Sequence, residues 1–278
     1  MHGPNPQDEQ YIDIHEPNWL EVLDDTESVR DGTRGWYPTD ADSDTVIWRY
    51  MDLGKFLSLV QNSQLWLSHR STFKDPYEGR YSKPIAEEIQ QERWGIDEPN
   101  DEDSAYFSDQ NTEDYVSCWN MKQSQSAALW DVYTEGDNGV AIKSTVGALK
   151  EAIDWFPESK VAYQLQFGKV TYHTTGEEPR GHYAPIFTKR DIFDFENEYR
   201  IVLTSFDSLD DVEIDGVKII PEVGIGVKID PSILIDEVYI SPSAGGYLRD
   251  VVERLKCDYG PDYSIKKSTL YDHPLVDS

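Results

Sequence analysis

The sequence contains few cysteines and no long apolar run. Its two cysteines, Cys118 and Cys257, cannot build a disulfide framework in a chain of 278 residues. No apolar stretch approaches the roughly 18 residues that span a bilayer. The first residues also lack the basic and then apolar pattern of a secretory signal. These absences predict a cytoplasmic protein that makes no use of a membrane.

Basic residues are scarce as well. The chain has 25 Lys and Arg against 53 Asp and Glu, which gives a formal net charge of −28. This charge argues against broad electrostatic binding to nucleic acid, because phosphates repel an acidic surface. The acidic residues are spread along the chain, and molar salt would screen their mutual repulsion. We interpret the protein as halophilic; the alternative is an acidic partner-binding protein, such as a nucleic-acid mimic.

The apolar content predicts a folded α+β domain. Hydrophobic residues make up 38% of the chain and aromatic residues 12%, which excludes a wholly disordered protein. Residues 1–44 are rich in turn formers and are predicted to be a flexible acidic leader, with a short docking helix near Trp19. Residues 45–278 are predicted to form a single α+β domain. A strand at 45–50, a helix from Leu53 and a strand at 65–67 open it, and a central mixed or split sheet flanked by helices follows.

Several familiar sites are missing from the sequence. The histidines and cysteines lack metal-ligand spacing, so no metal site is predicted. There is no Walker A sequence, no GxGxxG and no GxSxG. Cys118 falls within a predicted strand at 115–119, where a buried structural cysteine is favoured over a thiolate nucleophile.

The densest polar segment spans residues 189–200. Side chains alternate along a strand, so Glu196, Glu198 and Arg200 are predicted to project to one face if strand pairing begins as early as residue 196. Two carboxylates on one face repel, and the pKa of one should rise unless a cation such as Lys189, Arg190 or Arg200 intervenes. The alternative is a solvated acidic face closed by salt bridges.

An ordered set of motifs between residues 46 and 270 resembles domain-of-unknown-function family 2971. The set comprises Trp48-Arg49-Tyr50, the loop at 73–79, Ser117-Cys118-Trp119, Leu129-Trp130 with Tyr133, Gly139-Val140-Ala141-Ile142, the segment at 189–200, and Tyr239-Ile240-Ser241-Pro242. The family has no established activity. Some of its relatives resemble abortive-infection proteins, which implies a setting in antiviral defence.

A looser resemblance is to arginine-type ADP-ribosyltransferases, which carry an Arg, a Ser and a Glu-x-Glu in this order. The resemblance implies that Arg49 holds the phosphates of NAD, that Ser117 supports the site, that Glu198 stabilises an oxocarbenium-like transition state, and that Glu196 orients or deprotonates the acceptor. Trp119 stands where that family has a second Ser.

Four further residues are candidates for contacts with the cofactor. Lys74 would supply charge from the loop at 73–79, and Lys189 and Arg200 are cations beside the acidic pair. Tyr133 would stack on a base, although a core position is the alternative for this residue and Trp130. The competing function is a non-catalytic module in defence that binds a nucleotide, a small molecule or a protein partner. A cleft lined jointly by Arg49, Ser117 and Glu198 would favour the enzyme.

Overall fold

The computed structural model describes residues 36–94, 113–134, 136–153, 163–181, 183–205, 219–259 and 262–272. The strands are β1 (Val46–Asp52), β2 (Gln64–His69), β3 (Glu113–Met121), β4 (Gly139–Thr145), β5 (Tyr163–Lys169), β6 (Thr171–His173), β7 (Thr188–Arg190), β8 (Glu198–Ser205), β9 (Ile219–Ile220), β10 (Gly224–Lys228), β11 (Glu237–Ile240) and β12 (Ser264–Lys267). The α-helices are α1 (Leu53–Asn62), α2 (Lys83–Trp94), α3 (Ala127–Tyr133), α4 (Val146–Glu151), α5 (Ala184–Phe187), α6 (Pro231–Leu234) and α7 (Gly246–Tyr259). Two 3-10 helices, Arg70–Thr72 and Asp191–Glu196, complete the elements.

One large sheet organises the described residues. Eight strands run in the order β12-β11-β4-β1-β3-β2-β10-β9, and β8 joins this sheet through β3 and carries β5 on its other edge. The pairs within it are antiparallel except for β11 with β12, which is parallel. Strands β6 and β7 form a separate parallel pair. The predicted α+β fold with a central sheet and a strand-helix-strand opening is confirmed.

The sheet splits beside β3. One edge of β3 pairs with β8 along its whole length. Its other edge pairs first with β2, at Tyr115 and Val116, and then with β1, at Asn120 and Met121. The stretch 117–119 lies between these two pairings, where β1 and β2 diverge. The predicted split is therefore located in the middle of β3.

The two faces of the sheet carry different side chains because residues alternate along each strand. On β8, Tyr199, Ile201 and Leu203 enter the main hydrophobic core, into which α1, α4, α6 and α7 also pack. We call this the core face. On the same strand Glu198, Arg200 and Val202 point the other way, towards α3 and α5, and we call this the site face.

The described part of the predicted leader lies against the domain. The Gly147 N–H donates to the carbonyl of Ser43 at 2.8 Å, and the Tyr199 hydroxyl donates to Asp40 at 2.7 Å. Asp40 also forms an ion pair with Lys150. Packing therefore begins upstream of residue 45, while residues 1–35, with the predicted docking helix, lie outside the described residues.

Other elements differ from their predicted bounds. The long strand predicted at 161–172 is two strands, because β5 pairs with β8 only as far as Lys169 and β6 then pairs with β7. The short helices α5 and α6 and the 3-10 helix Asp191–Glu196 were not predicted. The hairpin predicted around Asp215-Gly216 falls outside the described residues. Among the described helices, none has the length and apolar character needed to cross a bilayer.

Candidate functional site

Five charged side chains meet on the site face of β8. They are Glu78, Lys189, Glu196, Glu198 and Arg200, and we call them the charge cluster. They come from the loop after the first 3-10 helix, from β7, from the end of the second 3-10 helix and from β8 itself. All five side chains are at most 8% exposed. The cluster is therefore a buried network, not the solvated acidic face that was the alternative interpretation.

Lys189 lies between the three carboxylates. Its Nζ is 2.6 Å from Glu196 Oε2, 3.1 Å from Glu198 Oε1 and 3.7 Å from Glu78 Oε2. The ring of Phe193 covers this ammonium, with its centroid 4.9 Å from Nζ. Lys189 thus intervenes between the two carboxylates that the sequence placed together.

Arg200 uses its planar guanidinium to join separate segments. Its Nε donates to Glu198 Oε2 at 2.8 Å, and its Nη1 donates to the carbonyl of Ile186 at 2.7 Å. Its Nη2 forms an ion pair with Glu78, which lies 122 positions away in sequence. The rigid fork of donors suits such a junction, and it holds the loop at 73–79 against β8.

A left-handed turn brings Glu196 beside Glu198. Asn197 has φ 44°, which ends the 3-10 helix immediately before β8. The carbonyl of Glu196 accepts from Asn120 Nδ2 at 2.9 Å, and the N–H of Glu198 donates to the Tyr172 hydroxyl at 2.9 Å. Glu196 therefore lies before the strand, whereas the alternation argument required it to be part of the strand. Its carboxylate still reaches the same cluster.

The two carboxylates have opposed pKa shifts. Burial, followed by the hydrogen bond to Glu198 and its negative charge, raises the pKa of Glu196 to about 7. Burial also acts to raise the pKa of Glu198, but the charge of Arg200, the hydrogen bond from Glu196 and the charge of Lys189 outweigh it and hold that pKa well below its usual value. A rise of one pKa was predicted only for a pair without an intervening cation. Lys189 does intervene, and the pKa of Glu196 is raised all the same, chiefly because the carboxyl group is buried.

Half-buried side chains border the cluster, among them Cys118 and Tyr133. Burial, and then the negative charge of Glu198, raise the pKa values of both Cys118 and Tyr133 far above their ordinary values. Cys118 therefore carries a neutral thiol, which agrees with the structural interpretation and not with a thiolate nucleophile. Tyr133 ends α3, whereas Leu129 and Trp130 of that helix are fully buried core residues.

A second ion pair lies on the outer side of the cluster. Arg190 donates to both carboxylate oxygens of Asp75, at 3.2 and 2.9 Å, and its guanidinium stacks 4.6 Å from the ring centroid of Tyr77. An enclosed cavity of about 10 Å³ lies between this pair and the Lys189–Glu78 pair. It has room for a single water molecule.

Arg49 and Ser117 lie on the core face. Ser117 is opposite Ile201 in the register of β3 and β8, and its hydroxyl accepts from Trp119 Nε1 at 3.2 Å. The Arg49 Nη2 donates to the carbonyl of Trp66 at 2.9 Å, and its guanidinium lies 5.7 Å from the ring centroid of Trp119. Arg49, Ser117 and Glu198 therefore do not line one cleft together. Ser117 and Glu198 are nevertheless on paired strands.

Arg49 occupies the split between β1 and β2 with an incomplete set of partners. Its Nη1 is buried and has no hydrogen-bond partner in the described structure. Burial lowers its pKa to about 10. Lys74, by contrast, is exposed on its loop. The structure thus gathers Glu196, Glu198, Lys189, Arg200 and Tyr133 and leaves Arg49, Ser117 and Lys74 elsewhere.

Sequence reasoning missed Glu78 as a member of the cluster. The residues around it were interpreted as a turn, and nothing in the local pattern indicates a partner as far away as Arg200. The described residues contain no group of His, Cys, Asp and Glu side chains arranged to hold a metal ion.

No family model and no curated protein matches the chain. The solved structure of Thermus sp. 2.9 DarT in complex with NAD+ aligns with a TM-score of 0.37 and 9% sequence identity, over 82% of this chain and 96% of that one. The same protein in complex with ADP-ribosylated ssDNA aligns with a TM-score of 0.37 and 10% identity, over 84% of this chain and 98% of that one. Similarities this distant assign no activity here, and the resemblance to family 2971 remains a prediction.

Proposed function

We propose that this chain is an ADP-ribosyltransferase-like enzyme that uses NAD as donor and performs its chemistry at Glu198 and Glu196. The observation that carries the proposal is the pair of neighbouring buried carboxylates with opposed pKa shifts. Environments that separate the pKa values of two neighbouring carboxyl groups are typical of sites in which one group acts as acid or base and the other stays ionised and stabilises charge. Such pairs serve reactions that pass through oxocarbenium-like transition states.

Glu198 is assigned the stabilising role. It stays ionised because Arg200 and Lys189 lower its pKa, so it presents a fixed negative charge. Transfer of ADP-ribose breaks an N-glycosidic bond and develops positive charge on the ribose. A fixed carboxylate in a water-poor site stabilises such charge without reorganising.

Glu196 is assigned the proton transfer. Its pKa of about 7 lets it exchange a proton at neutral pH, which is where a general base is most effective. Because it lies in hydrogen-bonding contact with Glu198, an acceptor deprotonated by Glu196 would be held next to the reacting ribose.

The enclosed space beside Lys189 is too small for a dinucleotide, so access has to come from another side. Cys118 and Tyr133 are among the half-buried residues next to the acidic pair, and we assign the approach of the donor to their side. Arg49 lies across the sheet from the acidic pair, so it has no part in the reacting centre. Its unpartnered Nη1 suits an anion in the split of the sheet. Action in the cytoplasm, either in antiviral defence or in a toxin-like role, belongs to the same proposal.

A non-catalytic ligand- or partner-binding module is the competing function. One observation favours it: each carboxylate of the charge cluster already faces a cation, as a purely structural clamp between the loop at 73–79 and β8 would require. In that case the substitution Glu198→Gln would affect folding and nothing else.

Measurement of NAD cleavage in molar KCl separates these functions. The wild type is expected to release nicotinamide, and Glu198→Gln should lower the rate by about 100-fold or more while remaining folded. Glu237→Gln is the matched control, since Glu237 is also ion-paired but lies on β11. A wild-type protein that neither binds nor cleaves NAD would leave the module as the function.

A further inference from the structure

A second cavity lies at the end of the sheet where β1 and β8 begin and β3 and β5 end. It is a depression of about 420 Å³ that opens widely to solvent, and its walls include Asp42, Val46, Lys122, Lys169 and Asn197. This volume falls within the range of sites that hold small molecules, about 300–1,000 Å³. The cavity is separate from the small space beside Lys189, and none of its walls belongs to the charge cluster.

The cavity concentrates positive charge in a very acidic protein. Neither Lys122 nor Lys169 forms an ion pair or side-chain hydrogen bond with any described residue, whereas Lys143, Lys150 and Lys189 all do. Among the described residues that line the cavity, Asp42 is the only acidic one. Two ammonium groups and one carboxylate give the walls a net charge of +1, against −28 for the whole chain.

The strand order places the two lysines on either side of Asn197. Strand β8 lies between β3 and β5, with Glu198 opposite Asn120 and Tyr199 opposite Lys169. Lys122 follows the end of β3, and Lys169 ends β5. Neighbouring strands are about 4.8 Å apart, so the backbones of β3 and β5 are separated by about 10 Å. Flexible lysine side chains can approach one ligand from both sides of such a gap.

Asn197 forms the wall between the cavity and the charge cluster. It holds the left-handed conformation without being glycine, and its side-chain amide donates to the carbonyl of Met121. Residues in such sparsely populated conformations cluster at binding and catalytic sites. A ligand in the cavity would therefore contact the turn that positions Glu196 and Glu198.

We propose that this cavity is a binding site for a small phosphate-bearing ligand held by Lys122 and Lys169. Lysine binds phosphate oxygens as a compact point charge, and the two lysines suit two linked phosphates better than one. Asp42 opposes the anion and limits its affinity. The site does not depend on the proposed transferase chemistry.

Calorimetric titration with inorganic pyrophosphate and with ADP, at fixed ionic strength, tests the site. The wild type is expected to bind saturably. Lys122→Gln and Lys169→Gln should each weaken binding by about tenfold, and Asp42→Asn should tighten it. Lys55→Gln, an exposed lysine on α1, is the control and should bind as the wild type does. Equal affinities for the two probes would assign recognition to the phosphates, and tighter ADP binding would add a nucleoside contact.

Two results would overturn the proposal: no saturable binding of either probe by the folded wild type, or unchanged binding by the Lys122→Gln/Lys169→Gln double variant. The outcome is independent of the transferase test, because Glu198→Gln is expected to bind pyrophosphate normally even if its NAD cleavage is lost. Circular dichroism of each variant establishes that it is folded.

Discussion

At the scale of single residues, the cation contacts of Glu196 and Glu198 separate the chemistry of two equally buried acids. Both are acids of the same type, only two positions apart, and both are buried. Glu198 accepts from Arg200 and Lys189, whereas Glu196 has Lys189 as its cation and Glu198 as a repelling neighbour. The difference in cation contacts explains why one stays ionised and the other holds a proton near neutral pH.

The first prediction concerns stability and pH. The folded-state pKa of Glu196, about 7, lies above its ordinary value of 4.5, so the folded state binds this proton more tightly than the unfolded state. The stabilisation of the folded state by protonated Glu196 is complete below about pH 4.5 and is lost as the pH rises through 7. The wild type should lose on the order of 2 kcal/mol of unfolding free energy between pH 5 and 8 from this group, as urea melts would measure.

The Glu196→Gln variant provides the control for that prediction. Glutamine cannot ionise, so the decline between pH 5 and 8 should be smaller by the same amount. The low pKa of Glu198 does not contribute in this window, because its stabilising effect is lost only at more acidic pH. An equally steep decline in both proteins would contradict the assignment of the shift to Glu196.

The second prediction concerns activity and pH. If Glu196 acts as the base, transfer to an acceptor should rise as the pH passes through about 7, where this carboxyl loses its proton. Glu196→Gln should transfer slowly at every pH while retaining part of the NAD cleavage, since Glu198 is unchanged. A wild-type profile that is flat from pH 5 to 9 would exclude this role.

At the scale of elements, the turn at Asn197 connects the 3-10 helix to β8. The third prediction is that Asn197→Ala lowers the unfolding free energy by about 1–2 kcal/mol, because it loses a hydrogen bond and keeps the left-handed strain. Asn197→Gly should cost less, since glycine adopts this conformation freely. Denaturant melts of the two variants provide the comparison.

Ser63 supplies a control for backbone strain. It ends α1 in the same left-handed region, with φ 51°, and lies away from the cluster. Ser63→Gly should be neutral or stabilise the protein and leave NAD cleavage unchanged. If Asn197→Gly also left activity unchanged while Asn197→Ala folded normally, the turn would have no role in positioning the acidic pair.

The fourth prediction concerns the segment 36–44. The melting temperature of a chain that lacks residues 1–35 is the reference, so that only the segment 36–44 differs between the two truncations. Deletion of residues 1–44 should lower it by several degrees, because it removes Asp40 from Lys150 and Tyr199 and uncovers the backbone of Gly168, which packs against Pro38. Equal melting temperatures for the two truncations would show that these contacts add little.

At the scale of the whole molecule, the net charge of −28 is the dominant feature. The fifth prediction is that the melting temperature rises from low salt to molar KCl, because salt screens repulsion among surface carboxylates. Calorimetry across this range provides the measurement. A flat or falling midpoint would contradict the halophilic interpretation and favour an acidic partner-binding surface.

The sequence alone determined the class of the fold and the order of most elements. Local patterns carry this information: the β-branched and aromatic residues of β1, the helical spacing of Phe56 and Val60 in α1, and the polar run before β8 are properties of short segments. It also identified the acidic pair, because Glu196 and Glu198 are neighbours in the chain whatever the fold, but it expected a raised pKa only where no cation intervenes.

Only the tertiary structure decided which other residues join that pair. Glu78 reaches Arg200 across 122 positions, and no local pattern encodes such a contact. The register of β3 against β8 sets Ser117 opposite Ile201 on the core face. A shift of one residue would have turned Ser117 towards Glu198. Arg49 faces away for the same reason, because the pairing of distant strands determines which side of a sheet each residue occupies.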